Sequence, residues 1–244
     1  MKRNYINYTE KKMSQQLMIN IALGNPIDIF FMNVNDMLLA LKYGADLNQT
    51  NHFSVTALIR ASLLGHKEIV ELLLAHGADV NHASQNSDTA LIDASGNGHK
   101  DVVELLLAHG AEVNHANQDG DTALIYASLE DHKEIVELLL AHNTEVNHAN
   151  QEGNTALTDA SGNGHKDVVK LLLAHGADVN QTDQDGNTAL MLVSLNGNTE
   201  VVELLLAHGA DVNQTNLDGD TALMYASTNG RTEVVELLLE HGAV

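Results

Sequence analysis

Fourteen histidines and thirty-three carboxylates are the side chains best able to do chemistry in this 244-residue chain, and no cysteine accompanies them. Histidine with carboxylate suggests metal ligation or general acid–base work. The spacing argues against both. The histidines fall in ladders: His66, His99, His132 and His165; His76, His109, His142, His175, His208 and His241; His82, His115 and His148. Within a ladder the step is 33 residues. Equivalent residues on stacked helices stand roughly 8–10 Å apart, whereas a metal needs each ligand about 2 Å from one centre. No metal site is expected, and the histidines are read as loop hydrogen-bonders or helix C-terminal residues. Protonating all fourteen would take the formal charge from −21 to −7, a bulk effect. Carboxylate pairs such as Asp119 and Asp121 recur in Asn/Asp/Gly-rich turns, where a water-excluded pocket is not expected. No G-x-S-x-G, P-loop or thiol supplies a nucleophile or a phosphate cradle, so neither catalysis nor a cofactor is expected.

The elements that position these side chains follow from one repeat. Thr-Ala-Leu begins at Thr56, Thr89, Thr122, Thr155, Thr188 and Thr221, always 33 residues apart. Self-similarity at one period marks a stacked-repeat architecture. In one unit, Leu91 and Ala94 lie three apart behind Thr89, a residue type that caps helix N-termini, and Gly98 stops the pattern. A second pattern runs from Lys100 to about His109, with Val102, Val103, Leu105, Leu106 and Leu107 as a buried stripe and Gly110 at its end. Asp101 and Glu104 in its first turns and His109 in its last follow the order the helix dipole favours. An extended, turn-rich segment then leads to the next unit. Two short helices and a projecting loop therefore recur in each unit.

This pattern resembles the ankyrin repeat, through T-A-L-x-x-A-S-x-x-G-H, x-V-V-E-L-L-L and G-A-D-V-N. The resemblance implies an all-α ankyrin-repeat solenoid of helix-turn-helix units with projecting β-turn loops. Six units are expected at 51–83, 84–116, 117–149, 150–182, 183–215 and 216–244. A degenerate capping repeat precedes them over 15–50, where Leu39 to Asn48 align with Leu72 to Asn81; Phe30, Phe31 and Met32 are expected to close the first interface. Residues 1–14, with four of the twelve bases, are expected to form a flexible tail. Departures from the family pattern are local. Ser54 and Ser87 replace the turn glycine found at Gly120, Gly153, Gly186 and Gly219. In the third unit Asp131 replaces the interhelical glycine and Asn143-Thr144 replaces Gly-Ala, with Thr144 the less comfortable of the pair. Units one, three and five carry Leu63, Leu129 and Leu195 where units two and four have Gly96 and Gly162, an alternation that suggests duplication of a two-unit block.

Function is expected where units differ. The asparagines Asn48, Asn81, Asn114, Asn147, Asn180 and Asn213 are fixed and are read as satisfying turn backbone groups. The first-helix column varies: Arg60, Asp93, Tyr126, Asp159, Leu192, Tyr225. So do the turns, with Asp119, Asp121, Glu152, Asp185 and Asp218 among their acids. The family resemblance places both columns on a partner-binding groove, which here carries ten acids against one base, Arg60, with Tyr126 and Tyr225 as aromatic anchors. The expected function is a non-catalytic adaptor that binds a basic protein segment, mostly as a monomer with end-to-end self-association at the face around Leu223 and Leu237. The negative charge opposes binding to nucleic acid or to anionic membranes. No apolar stretch follows Met1-Lys2-Arg3 and no run reaches a membrane span, so a cytoplasmic protein is expected. The resemblance extends to ankyrin proteins that bacteria and viruses direct at host proteins. Two other readings stay open: an acidic DNA mimic that blocks a nucleic-acid-binding protein, and a substrate of an asparaginyl hydroxylase with Asn81, Asn114, Asn180 and Asn213 as acceptors, the latter implied by the resemblance alone.

Overall fold

Helices of seven to nine residues are too short to persist alone in water, so packing between units must hold them. The structure is a computed structural model and describes residues 34–42 and 44–244. The expected tail at 1–14 and most of the expected capping repeat, including Phe30, Phe31 and Met32, lie outside the described residues. Thirteen helices occur among those described: α1 Val34–Lys42, α2 Ala57–Leu63, α3 Lys67–Ala75, α4 Ala90–Gly96, α5 Lys100–Ala108, α6 Ala123–Leu129, α7 Lys133–Ala141, α8 Ala156–Asn163, α9 Lys166–Ala174, α10 Ala189–Asn196, α11 Thr199–Ala207, α12 Ala222–Thr228 and α13 Thr232–Glu240. Isolated bridges Ala83–Thr89, Ala116–Thr122 and Thr182–Thr188 close three of the projecting loops.

Two compact units divide the chain. One comprises residues up to Ala94 with Asp101–Glu112; the other comprises Ser95–Lys100 and Val113–Val244. In the second, the first helices α6, α8, α10 and α12 pack in series, as do the second helices α7, α9, α11 and α13. In the first, α3 packs on both α1 and α2.

The threonine of each Thr-Ala-Leu starts its helix. Thr56, Thr122, Thr155, Thr188 and Thr221 are extended, and each hydroxyl accepts a hydrogen bond from the amide three residues on. Leucine and valine of the second helices fill the core: Val70, Leu73, Val136, Leu139, Val169, Leu172, Val202 and Leu205 are fully buried. Ile59 of α2 is buried too.

The fixed asparagines act between units rather than within their own turns. Asn147 Oδ1 accepts from Asp178 N at 2.8 Å, and its Nδ2 donates to Gly176 O at 3.2 Å. Asn81, Asn180 and Asn213 hold the following unit by the same pair of bonds. Asn48 and Asn114 accept from Asp79 N and Glu145 N, both at 2.9 Å. Thr144, expected to be uncomfortable, adds a hydroxyl bond of 3.2 Å to the Asn114 clamp, so the departure brings its own contact. Asp131 and Asn143 do adopt the left-handed backbone of the glycines they replace, with φ of 59° and 58°.

The histidines behave as the spacing predicts. His76, His109, His142, His175, His208 and His241 each donate Nδ1–H to the carbonyl four residues back at 2.8 Å, at a helix C-terminus. His132 and His165 donate to Gly96 O and Leu129 O of the preceding interhelical turns. Across the second helices Lys67 pairs with Asp101, Lys133 with Asp167 and Lys166 with Glu200, and the hydrogen bonds that Lys133 and Lys166 donate to these carboxylates raise their amines above the usual range.

A column of buried serines carries a testable consequence. Ser62, Ser95, Ser128 and Ser161 are fully buried with hydroxyls that find no partner, whereas the equivalent Ser194 donates to Leu190 O at 2.6 Å. A buried unpaired hydroxyl is costly, and alanine is the better helix former. Ser128→Ala is expected to raise stability by about 0.5–1 kcal/mol in urea unfolding. A loss of stability would show that Ser128 bonds Leu124 O in solution as Ser194 bonds Leu190 O.

Candidate protein-binding surface of the turns and first helices

Each projecting turn is set by a residue the sequence reading did not single out. Asn117 Oδ1 accepts from Asp119 N and Asp121 N, at 3.0 and 2.9 Å. Asn51, Ser84, Asn150, Asp183 and Asn216 do the same for the amides two and four residues on. The signal was present in the sequence as a column restricted to Asn, Ser and Asp, the residues that close Asx and ST turns. Turn tips then bond to one another through the backbone. Gln85 N donates to Phe53 O in the first unit; in the second, Gln151 N donates to Asp119 O, Gln184 N to Glu152 O and Leu217 N to Asp185 O, at 2.8–2.9 Å. The side chains of Gln151 and Gln184 also donate to Gln118 O and Gln151 O. Asp119, Glu152 and Asp185 thus stand on successive rungs of one backbone ladder, with exposed side chains, and Asp218 follows on the next turn, also exposed.

The first-helix column is half-buried. In the second unit, a methyl on Gly96 would meet Tyr126 Cβ at 3.4 Å, and one on Gly162 would meet Leu192 Cβ at 3.7 Å. Gly96 and Gly162 of the alternating column thus lie beside Tyr126 and Leu192 of the following repeat. The tyrosines are less free than anchors would be. Tyr225 Oη donates to Asn187 Oδ1 and accepts from Asn216 Nδ2, both at 3.1 Å, and Asn117 Nδ2 donates to Tyr126 Oη at 3.4 Å. Burial and the Asp220 carboxylate raise the Tyr225 phenol above its usual range. Among the described residues Phe53 is an exposed aromatic, 55% accessible, with its ring tilted 46° to that of His52 and the centroids 3.9 Å apart.

Three of the expected acids converge in the second unit. Burial pushes Asp159 up to about 7, and the carboxylates of Asp121 and Glu152 push it the same way. Asp121 also accepts from Asn150 Nδ2 at 2.7 Å. In the first unit burial and Asp88 raise Asp93 to about 7, while the Arg60 guanidinium opposes the shift. Among the described residues no cluster of histidine, cysteine and acid could hold a metal ion, and no helix is long and apolar enough to cross a membrane.

These two acids carry a sign. From about pH 4 to about pH 7 the folded chain binds protons at Asp93 and Asp159 that the unfolded chain has released, so stability falls as pH rises through that window and the cost is constant above it. Asp159→Asn removes the charge. Relative to the native chain it is expected to gain about 1–2 kcal/mol at pH 8, after discounting for partial exposure, and nothing at pH 4. Urea midpoints of both proteins at the two pH values measure this; parallel pH profiles would refute the buried charge.

The family model for ankyrin repeats matches the chain three times, over residues 30–117, 111–183 and 175–244. The chain belongs to the ankyrin-repeat family. No curated protein matches it. Ankyrin repeats are in general protein–protein interaction modules, and the family is typically non-catalytic. The thirteen described helices and near-absence of strand fit the all-α fold that the ankyrin resemblance implied. At the C-terminal ankyrin repeat, Leu223 and Leu237 are half-buried, and Leu217, Met224, Leu239 and Val244 are exposed apolar residues.

Proposed function

We propose that this ankyrin-repeat protein is a non-catalytic adaptor whose acidic turns and first helices grip a basic protein segment. The observation that supports it most is the convergence of Asp121, Glu152 and Asp159, close enough that the first two resist ionisation of the third. Like charges held together cost free energy in the unbound protein and are relieved by a cation, so they favour a lysine- or arginine-rich ligand. Asp119, Asp185 and Asp218 lengthen the acidic surface along the turns. Each turn is fixed by its Asx or serine residue, and within the second unit successive turns are bonded tip to tip, which keeps the ordering cost on binding low.

The test is titration with a fluorescent lysine- and arginine-rich peptide. Binding that weakens steeply from about 50 to about 300 mM salt is expected, because the screening length of exposed charges falls from about 14 to about 6 Å across that range. A glutamate-rich peptide should not bind. Affinity flat across salt would sink the acidic-surface reading. Duplex DNA competing for a natural partner captured on this surface would favour the DNA-mimic reading instead.

A further inference from the structure

In the first unit the turn chemistry changes character. Where later turns present Asp119, Glu152, Asp185 and Asp218, the first presents Phe53, and Val55 stands where later turns have Asp or Asn. Beneath it lies a cavity of about 260 Å³. Sites for drug-sized ligands run from about 300 to 1,000 Å³, so this one suits a single long side chain. Phe53, Val55, Ile59 and Leu63 form its apolar walls, and Asp88 and Asp93 are the carboxylates at its polar end. Arg60 lines the same space.

We propose that this cavity anchors one lysine or arginine side chain of the partner, with its methylene stem against Ile59, Leu63 and Val55, its cationic head toward Asp88 and Asp93, and Phe53 as an aromatic lid. The proposal rests on the reading that the partner is basic and names one subsite for it. Charge complementarity selects the occupant. The lining carries two carboxyl groups and one guanidinium, so an ammonium or guanidinium, unlike an apolar side chain, lets both carboxyls ionise while the site stays neutral overall. A cation over the face of an exposed phenyl ring gains further attraction. Asp93 holds its proton near neutrality in the unbound protein, so an incoming cation displaces that proton. The charged groups that act on this step are Asp88 from the second turn and Arg60 from α2; His52 neighbours Phe53 but does not line the cavity.

The experiment uses the full chain and three capped amino acids: Nα-acetyl-lysine amide, Nα-acetyl-arginine amide and Nα-acetyl-norleucine amide. Methyl NMR shifts of Ile59, Leu63 and Val55 report occupancy. Saturable shifts with the two cations and at least several-fold weaker binding of norleucine are expected. Affinity for the cations should rise up to about tenfold between pH 6 and pH 8. His52→Gln should keep that rise and Asp93→Asn should abolish it. Phe53→Ala, at an exposed position that folding does not depend on, should weaken both cations. Equal binding of norleucine, or no shift with any probe, would overturn the proposal. The basic-peptide titration fails independently: peptide binding without probe shifts overturns the subsite alone, and probe shifts without peptide binding overturn the wider acidic surface.

Discussion

Gly153→Ala is expected to destabilise the protein by about 2–4 kcal/mol, the largest effect of any exposed-loop substitution considered. Two costs combine. The backbone at Gly153 has φ of 83°, in the left-handed region that an L side chain occupies at a cost of roughly 1–2 kcal/mol. An added methyl would also stand 2.7 Å from Gln184 N and 2.8 Å from Asp183 Cα. Those are backbone atoms, which cannot swing aside, so the turn-to-turn bond from Gln184 N to Glu152 O would have to open. Gly219 provides the control. Its φ is 84°, yet nothing lies within 4 Å of the added carbon. Gly219→Ala should therefore show the conformational cost alone, about 1–2 kcal/mol. Urea unfolding of the two variants separates backbone conformation from turn stacking. Equal losses would mean that the turns do not press on one another in solution. Ser54 and Ser87 adopt φ of 58° and 64°, which shows that this family of turns tolerates a side chain when the angle relaxes from the glycine value.

The fold was legible because its causes are local and repeated. Thr56 and its equivalents cap a helix with their own hydroxyl, and the buried valines and leucines of the second helices follow from helical spacing, so the 33-residue period exposed every element at once. What one unit does to the next was less legible. Asn147 reads as a turn residue from its neighbours, but its partners are the amide of Asp178 and the carbonyl of Gly176, thirty-odd residues away. Gly96 gives no sign in sequence that Tyr126 of the following repeat lies against it. The candidate surface was legible as a set of variable columns, since variation between copies needs no coordinates. Its electrostatics were not. A row of acids in sequence gives no indication that Asp159 is buried beside Asp121 and Glu152, nor that Asp121 is already hydrogen-bonded to Asn150. Nor does the sequence show that the hydroxyl of Tyr225, expected as an aromatic anchor, is held by Asn187 and Asn216.

These differences rank the acids for a second large effect. Reversing Glu152 and Asp185 together to lysine is expected to weaken a lysine- and arginine-rich peptide by about two orders of magnitude at about 50 mM salt, since each reversal alters the interaction by roughly 1–2 kcal/mol. Both side chains are exposed on adjacent turns, whereas Asp159 is half-buried and partly protonated near pH 7 and Asp121 gives one oxygen to Asn150. Asp159→Asn alone should therefore cost the peptide little at pH 7 and more at pH 8.5, once the carboxyl ionises. Folding should survive the double reversal. The rungs that tie these turns run through the backbone oxygens of Glu152 and Asp185, which the substitution leaves in place. Circular dichroism and the urea midpoint check that. Near about 0.5 M salt the native and reversed proteins should converge, because screening over a few ångströms removes what distinguishes them. If the double reversal binds the peptide as the native chain does at low salt, the basic ligand sits elsewhere, and the acids of the turns serve solubility alone.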